Sequence, residues 1–208
     1  KKNKIIDIQK LKNLNTPFAT LTAYDFPTAQ IINMLNIPLV LVGDSASMVV
    51  YGYNDTTTIE MDEMLLICRA VERGAKKALL VGDMPFMSYQ PSVEIAITNA
   101  GKFIKEGKMD AVKLEGGIEY IDRISAIIKA GIPVVGHIGL QPQSVLIDSG
   151  YKIKGKTAKD ALKIYQDAVA LEKAGVFALV LEGVPEEVAK IITQNIKIPT
   201  IGIGAGCF

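Results

Sequence analysis

Six ionisable side chains of this chain lie at the ends of short, strongly apolar runs. Four are carboxylates, one is a lysine and one is the only histidine: Asp44, Asp83, Glu115, Glu182, Lys113 and His137. A polar residue in that position lies at the carboxyl end of a strand, which is where α/β folds keep their active sites. This combination predicts a metal-assisted reaction on a small anionic molecule.

The first two aspartates are candidate metal ligands. Asp44 and Asp83 each follow a Val-Gly pair, which lets the backbone turn tightly and point the carboxylate into the mouth of a barrel. Two carboxylates that converge there repel each other unless a cation lies between them. Oxygen ligands without a His or Cys cluster favour Mg²⁺ over zinc. The alternative is that each aspartate caps the loop or helix that follows it.

Lys113 and Glu115 lie two residues apart on one predicted strand, so their side chains point the same way. That side is the interior, because the outward side of a barrel strand must meet the helices. A buried lysine needs an anionic partner, which is either Glu115 or a substrate anion. A purely structural Lys–Glu pair is the alternative.

His137 and Glu182 are the remaining candidates. A lone histidine in a strand is more often a core residue, but the strand-end position of His137 favours a hydrogen bond to a substrate or to a metal ligand. Glu182 follows a five-residue apolar run, and a carboxylate in a largely dry pocket is a competent general base near neutral pH. The alternative for Glu182 is a cap of the helix that begins near Pro185.

Seven strand-like runs must position these side chains. They start roughly 30 residues apart, with helical patterns between them, as in repeated strand–helix units. The runs are 18–24, 38–42, 78–81, 111–114, 133–138, 177–181 and 199–203. Fully apolar strands that alternate with helices predict a parallel sheet covered by those helices.

The sheet can close in two ways, as an open doubly wound sheet or as a (β/α)8 TIM barrel. We favour the α/β barrel, because polar candidates follow at least five strands and no G-x-G-x-x-G motif follows an early strand. Such barrels typically need about 250 residues. We therefore expect residues 1–208 to form a single catalytic domain, with the eighth β/α unit and a C-terminal helix outside them.

The composition excludes several functional classes. The 208 residues are 49% hydrophobic and carry a formal net charge of +1, which argues against a nucleic-acid or membrane-surface partner. Cys68 and Cys207 form no C-x-x-C motif, so we predict reduced thiols in a cytoplasmic protein. The longest segment without periodicity is 45–60, which is either a lid or an irregular connection.

Over nearly its whole length the chain resembles the ketopantoate hydroxymethyltransferase (3-methyl-2-oxobutanoate hydroxymethyltransferase) family. The shared motifs occur in the same order: LTAYD at 21–25, VGDS at 42–45, DMPFMSYQ at 83–90, VKLEG at 112–116, GHIGL at 136–140 with PQS at 142–144, LE at 181–182 with VP at 184–185, and IGIGAG at 201–206. The resemblance implies a barrel enzyme of pantothenate biosynthesis, assembled as a homodecamer. It also implies transfer of a hydroxymethyl group from 5,10-methylenetetrahydrofolate to 3-methyl-2-oxobutanoate, forming 2-dehydropantoate through a Mg²⁺-stabilised enolate.

The resemblance also implies roles for individual residues. The metal ligands would be Asp44 and Asp83, with Glu115 supporting one Mg²⁺ per subunit. Glu182 would be the proton acceptor. The side chains that hold or contact the 2-keto acid would be Asp44, Ser45, Asp83, Lys113 and His137.

Three rival hypotheses remain open. Lys113 could form a Schiff base with a keto acid, as in metal-free aldolases. The phosphoenolpyruvate mutase and isocitrate lyase group also holds Mg²⁺ at a barrel mouth, but this chain lacks the cysteine-containing loop expected there. A barrel that only binds a ligand or partner is the third.

Overall fold

A computed structural model describes residues 1–207 of the chain, and Phe208 lies outside them. The strands form one seven-stranded sheet in which every neighbouring pair is parallel and the strand order follows the chain order. They are β1 (Thr20–Thr22), β2 (Leu39–Val42), β3 (Leu79–Asp83), β4 (Ala111–Glu115), β5 (Val134–Gly139), β6 (Ala178–Glu182) and β7 (Thr200–Ile203). A doubly wound sheet reverses its strand order at a switch point, so this order confirms the prediction of a barrel.

Helices follow the strands along the chain. They are α1 (Ile5–Asn13), α2 (Phe26–Met34), α3 (Ala46–Val49), α4 (Met61–Gly74), α5 (Val93–Lys105), α6 (Ile121–Lys129), α7 (Val145–Asp148), α8 (Ala158–Ala174) and α9 (Glu186–Asn195). Two of the helices begin at side-chain caps: Ser92 Oγ accepts the Ile95 N–H at 3.2 Å, and Thr157 Oγ1 accepts the Asp160 N–H at 3.2 Å. Within described residues 1–207, no helix is long and apolar enough to cross a membrane.

The core has two layers because successive strand side chains point to opposite faces. Val40 and Leu80 belong to the larger layer, between the sheet and the helices, together with the fully buried Cys68 of α4. Leu39 and Leu79 face the barrel interior, where they pack with Ile8 of α1. Because these two leucines begin their strands, α1 covers the end of the barrel at which the strands start.

The seven strands of residues 1–207 form a barrel that is nearly, but not completely, closed. β1 pairs with β2 and β7 pairs with β6, and no pairing joins β1 to β7 among the described residues. A cavity of about 320 Å³ lies between these two edges, lined in part by Thr20, Leu41, Val135 and Ile201.

Strand register determines which candidate residues become neighbours at the other end of the barrel. The aligned pairs are Asp83 with Lys113 between β3 and β4, Glu115 with His137 between β4 and β5, and Gly139 with Glu182 between β5 and β6. The segment 45–60 contains α3, a single turn that its composition does not predict. That segment's role as a lid stays a prediction.

Candidate active site

The predicted metal ligands converge at the ends of β2 and β3. Asp44 follows β2 by two residues, and its backbone N–H donates to Asp83 Oδ2 at 3.2 Å. The other oxygen of Asp83, Oδ1, accepts from Lys113 Nζ at 2.8 Å. Both aspartates are buried, so their charges lie close together with little water between them.

A second group forms where β4, β5 and β6 end. The imidazole of His137 lies between two carboxylates, with Nδ1 3.6 Å from Glu115 Oε1 and Nε2 3.4 Å from Glu182 Oε2. Neither ring nitrogen has a hydrogen-bond partner, and neither does Glu115 Oε1. Buried polar atoms without partners are rare in folded proteins, so these three atoms are candidates to bind a ligand or ordered water.

Glu182 differs from its neighbours in its access to solvent. Its side chain is 24% exposed, whereas those of His137 and Glu115 are 1% and 2% exposed. The position of Glu182 depends on close contact between its backbone and Gly139. Gly139 has φ +97°, and a Cβ there would lie 2.2 Å from the Glu182 carbonyl oxygen. Only glycine tolerates both conditions, and this close approach keeps the ends of β5 and β6 together.

Ser45 follows Asp44, one of the predicted metal ligands, but contacts a different side chain. Its hydroxyl is 2.8 Å from the hydroxyl of Tyr24, and it makes no side-chain cap of α3. Lys113 Nζ is 4.0 Å from Glu115 Oε1, which confirms the prediction that these two side chains share the interior face.

The charges of the site shift several pKa values. Burial raises the pKa of Asp44 well above its usual range, and the charge of Asp83 raises it further. Burial also raises the pKa of Glu115. Burial alone would lower the pKa of the Lys113 ammonium, but the neighbouring carboxylates, Asp83 foremost, raise it overall. Lys113 is therefore a fixed positive charge, and a protonated amine is a poor nucleophile for a Schiff base.

The donor set fits Mg²⁺. Three buried carboxylates, Asp44, Asp83 and Glu115, face one lysine, so a divalent cation would offset the excess negative charge. Within residues 1–207, no group of three His, Cys, Asp or Glu side chains is placed to hold an ion alone. Mg²⁺ usually takes one or two carboxylates and completes its shell with water and substrate oxygens, so a two-aspartate site suits it.

The family of this chain is identified by its match to a known family model. The family model described as ketopantoate hydroxymethyltransferase matches residues 2–208. The chain belongs to this family. Membership in the ketopantoate hydroxymethyltransferase family makes the chain an enzyme, a hydroxymethyltransferase.

Individual relatives agree with the family match. The protein from Dehalococcoides mccartyi (strain CBDB1), described as 3-methyl-2-oxobutanoate hydroxymethyltransferase, is 55% identical over 202 residues, which are 97% of this chain and 72% of that protein. The protein of the same description from Clostridium kluyveri is 52% identical over 205 residues, which are 99% of this chain and 73% of that protein. This member of the ketopantoate hydroxymethyltransferase family thus spans about three quarters of the length of these relatives.

Solved structures support the fold alone. Phosphonopyruvate hydrolase superposes with a TM-score of 0.71 at 13% identity, covering 96% of this chain and 71% of that one. A 2,3-dimethylmalate lyase of the PEP mutase/isocitrate lyase superfamily gives 0.68 at 15% identity, covering 98% and 74%. The chain therefore shares the barrel fold of these two structures, and identities this low give no information about its function.

Two residues that hydrogen-bond to Asp44 and Glu115, the candidate metal ligands, were given no role by the sequence analysis. Gln143, in a 3-10 turn after β5, donates through Nε2 to Asp44 Oδ2 at 2.8 Å. Tyr89 accepts the Glu115 backbone N–H at 3.2 Å. Both lie in the family motifs DMPFMSYQ and PQS. Their presence in these motifs indicates that the two residues matter, but nothing in the neighbouring sequence indicates which residues they contact.

Proposed function

We propose that this chain transfers a hydroxymethyl group from 5,10-methylenetetrahydrofolate to 3-methyl-2-oxobutanoate, forming 2-dehydropantoate in cytoplasmic pantothenate biosynthesis. The observation that carries the mechanism is the convergence of Lys113–Asp83 and Glu115–His137–Glu182 at one end of the barrel. The first group supplies fixed charge for an anionic substrate. The second supplies a base that solvent and ligands can reach.

The substrate's oxygens would be held by cationic and hydroxyl groups of the site. Lys113 supplies a permanent positive charge for the carboxylate or keto oxygen. Ser45 can donate its hydroxyl proton to a substrate oxygen when Tyr24 donates in turn to Ser45. Asp44 and Asp83 would hold Mg²⁺, with Glu115 supporting it. When bound, the ion supplies positive charge that makes the C3 hydrogen of a 2-keto acid more acidic.

Glu182 would remove that hydrogen as a proton. The C3–H bond breaks, its electron pair moves into the C2–C3 bond, and the keto oxygen takes the negative charge as an enolate. C3 then forms a bond to the methylene carbon of the folate and water gives that carbon its hydroxyl oxygen, while both bonds from that carbon to the folate nitrogens break. The proton from C3 and one proton from water go to those two nitrogens, and tetrahydrofolate leaves. His137, 3.4 Å from Glu182 Oε2, is placed to hold the carboxylate toward the substrate.

Exchange of the C3 hydrogen tests this mechanism without the folate step. We would follow 3-methyl-2-oxobutanoate by proton NMR in D₂O with the intact protein, with and without Mg²⁺. We expect Mg²⁺-dependent loss of the C3 signal that slows by about 10²–10⁴-fold in Glu182→Gln, because the base is removed while the size of the side chain is kept.

The control is Glu187→Gln, an exposed carboxylate on α9, which should exchange at the wild-type rate. If wild-type protein exchanges no hydrogen even with tetrahydrofolate added, the transferase mechanism is wrong and a binding role is favoured. Exchange at the wild-type rate in Glu182→Gln would instead show that another residue is the base.

We also propose that the subunits assemble as homo-oligomers, a decamer by resemblance to the family. Large apolar side chains that lie outside the core support an assembly, among them Ile147 at 89% exposed and Leu14 at 73% exposed. Light scattering coupled to gel filtration of the intact protein would measure the subunit number, and a monomer would contradict the proposal.

A further inference from the structure

Gln143 makes five hydrogen bonds from a position that is 5% exposed. Its side-chain Nε2 donates to Asp44 Oδ2 at 2.8 Å and to the Met84 carbonyl oxygen at 2.9 Å. Its Oε1 accepts from Tyr89 Oη at 2.9 Å and from Gln90 Nε2 at 3.1 Å, and its backbone N–H donates to Glu115 Oε2 at 3.0 Å. Both carboxylates are on the proposed metal side of the site.

The orientation of the Gln143 amide is determined by its neighbours. The Met84 carbonyl oxygen can only accept, and an ionised Asp44 can only accept. A flipped amide would turn its own oxygen toward both of them and lose two hydrogen bonds in a buried site. The NH₂ group therefore faces Asp44 when that carboxylate is ionised, which is the state that binds a cation.

These contacts determine which carboxylate oxygens remain available. Gln143 occupies one oxygen of Asp44 and, through its backbone, Oε2 of Glu115. The other oxygen of Glu115, Oε1, has no hydrogen-bond partner and faces His137 and Lys113. A single residue after β5 thus orients two carboxylates that come from β2 and β4.

We propose that Gln143 is a positioning residue that fixes the direction of the Asp44 and Glu115 carboxylates for the divalent cation. The inference rests on the proposed function, because it needs these side chains to serve a metal. Residues that orient metal ligands commonly change metal affinity by about 10–100-fold when they are replaced. The proposed mechanism gives Gln143 no contact with substrate or reacting atoms, so Gln143 would act through its two partners.

The test is a Mn²⁺ titration of the intact protein, followed by electron paramagnetic resonance, with 3-methyl-2-oxobutanoate present. Mn²⁺ takes the same oxygen ligands as Mg²⁺ and is visible spectroscopically. Gln143→Met keeps the length of the side chain and the backbone N–H that donates to Glu115, but removes the four side-chain hydrogen bonds, including the one to Asp44. The matched control is Gln141→Met, which removes an amide in the same loop whose Oε1 accepts only weakly, from Ser144 Oγ at 3.4 Å.

We expect the Mn²⁺ dissociation constant to rise about 10–100-fold in Gln143→Met and to stay near the wild-type value in Gln141→Met. The spectrum of bound Mn²⁺ should also change in the first variant, since the geometry of its ligands changes. A residue with only a structural role would lower the melting temperature and leave both readouts of the folded protein unchanged.

A second variant keeps the inference testable if Gln143→Met does not fold. Gln143→Asn keeps the amide and the backbone N–H but is one methylene too short to reach Asp44, so it should show the same loss of affinity. A dissociation constant within about twofold of Gln141→Met in either folded variant overturns the inference. Wild-type protein that binds no Mn²⁺ refutes the proposed metal site itself, a distinct outcome that also removes any role for Gln143 in orienting an ion.

Discussion

Lys113 lies among three buried carboxylates at the centre of the site, and within residues 1–207 it is the only lysine or arginine there. It bonds Asp83 at 2.8 Å and lies 4.0 Å from Glu115. Removing one partner of a buried ion pair usually destabilises a protein strongly, because the other charge stays buried without compensation. The same lysine therefore contributes to stability, in addition to its proposed role in substrate binding.

We expect Lys113→Met to lower the free energy of unfolding by about 3–5 kcal/mol in chelator. Mg²⁺ should restore part of this loss, because the cation would neutralise the carboxylates that Lys113 leaves behind. Denaturant unfolding with chelator and with Mg²⁺ measures both effects. The comparison variant is Lys76→Met: that lysine pairs with Glu72, and the two side chains are 58% and 28% exposed, so the change should stay below about 1 kcal/mol. Equal losses in the two variants would show that burial of Lys113 matters little.

The location of a single residue could be predicted from sequence where its position in a strand determines its surroundings. Asp44, Asp83, Lys113, Glu115, His137 and Glu182 all lie at one end of the barrel, as expected from apolar runs that end in polar residues. The roles that the family resemblance implies for these residues stay predictions. The contacts of Gln143 with Asp44 and Tyr89 could not be predicted, because they join loops 99 and 54 residues apart in sequence.

At the scale of elements, close packing of α5 on β3 determines where Asp83 lies. Gly82 precedes Asp83, and a Cβ at Gly82 would lie 2.3 Å from the ring of Phe103 on α5. Phe103 is fully buried, so its ring has little room to move away. The absence of a side chain at this position therefore lets the helix approach the strand that carries Asp83, a proposed metal ligand.

Gly82→Ala should lower the free energy of unfolding by about 1–3 kcal/mol, because the added methyl group displaces Phe103 or the strand. Gly101→Ala is the matched substitution on α5, where an added Cβ meets nothing within 4 Å. That change should instead stabilise the helix by up to about 1 kcal/mol. Thermal unfolding of the two variants beside the wild type measures the difference, and a neutral Gly82→Ala would contradict the packing argument.

The strands were easier to predict than the connections. Fully apolar runs identify buried strands regardless of what surrounds them, so all seven predicted runs contain the observed strands or end within two residues of them. α3 was not predicted, because its Ala-Ser-Met-Val sequence has no helical period. Its turn is stabilised by contacts outside the helix, such as the Tyr53 N–H donating to the Ser47 carbonyl oxygen at 2.9 Å.

For the whole molecule, the sheet divides into protected and exposed strands. Every residue of β3 and β4 is buried, whereas two of the three residues of β1 and two of the four residues of β7 are exposed. Unpaired edge strands open more easily than strands that have a neighbour on each side.

Backbone amides of β1 and β7 should therefore exchange with deuterium faster than those of β4 and β5 in the 208-residue chain. Hydrogen exchange followed by mass spectrometry of peptides gives the gradient directly. Equal protection of β1 and β4 would show that the edges are covered, for example by pairing between copies of the chain.

The hydrogen bond between Gln143 and Asp44 also has a consequence for the kinetics of folding. Strands β3, β4 and β5 lie between its partners, so it closes only after a long stretch of chain has assembled. Pairings between distant segments form slowly, because the entropy of a large loop must be lost before the contact stabilises anything. During refolding, helical circular dichroism should therefore return before Mn²⁺ binding does, and newly made chains would pass through a stage that is compact but still inactive.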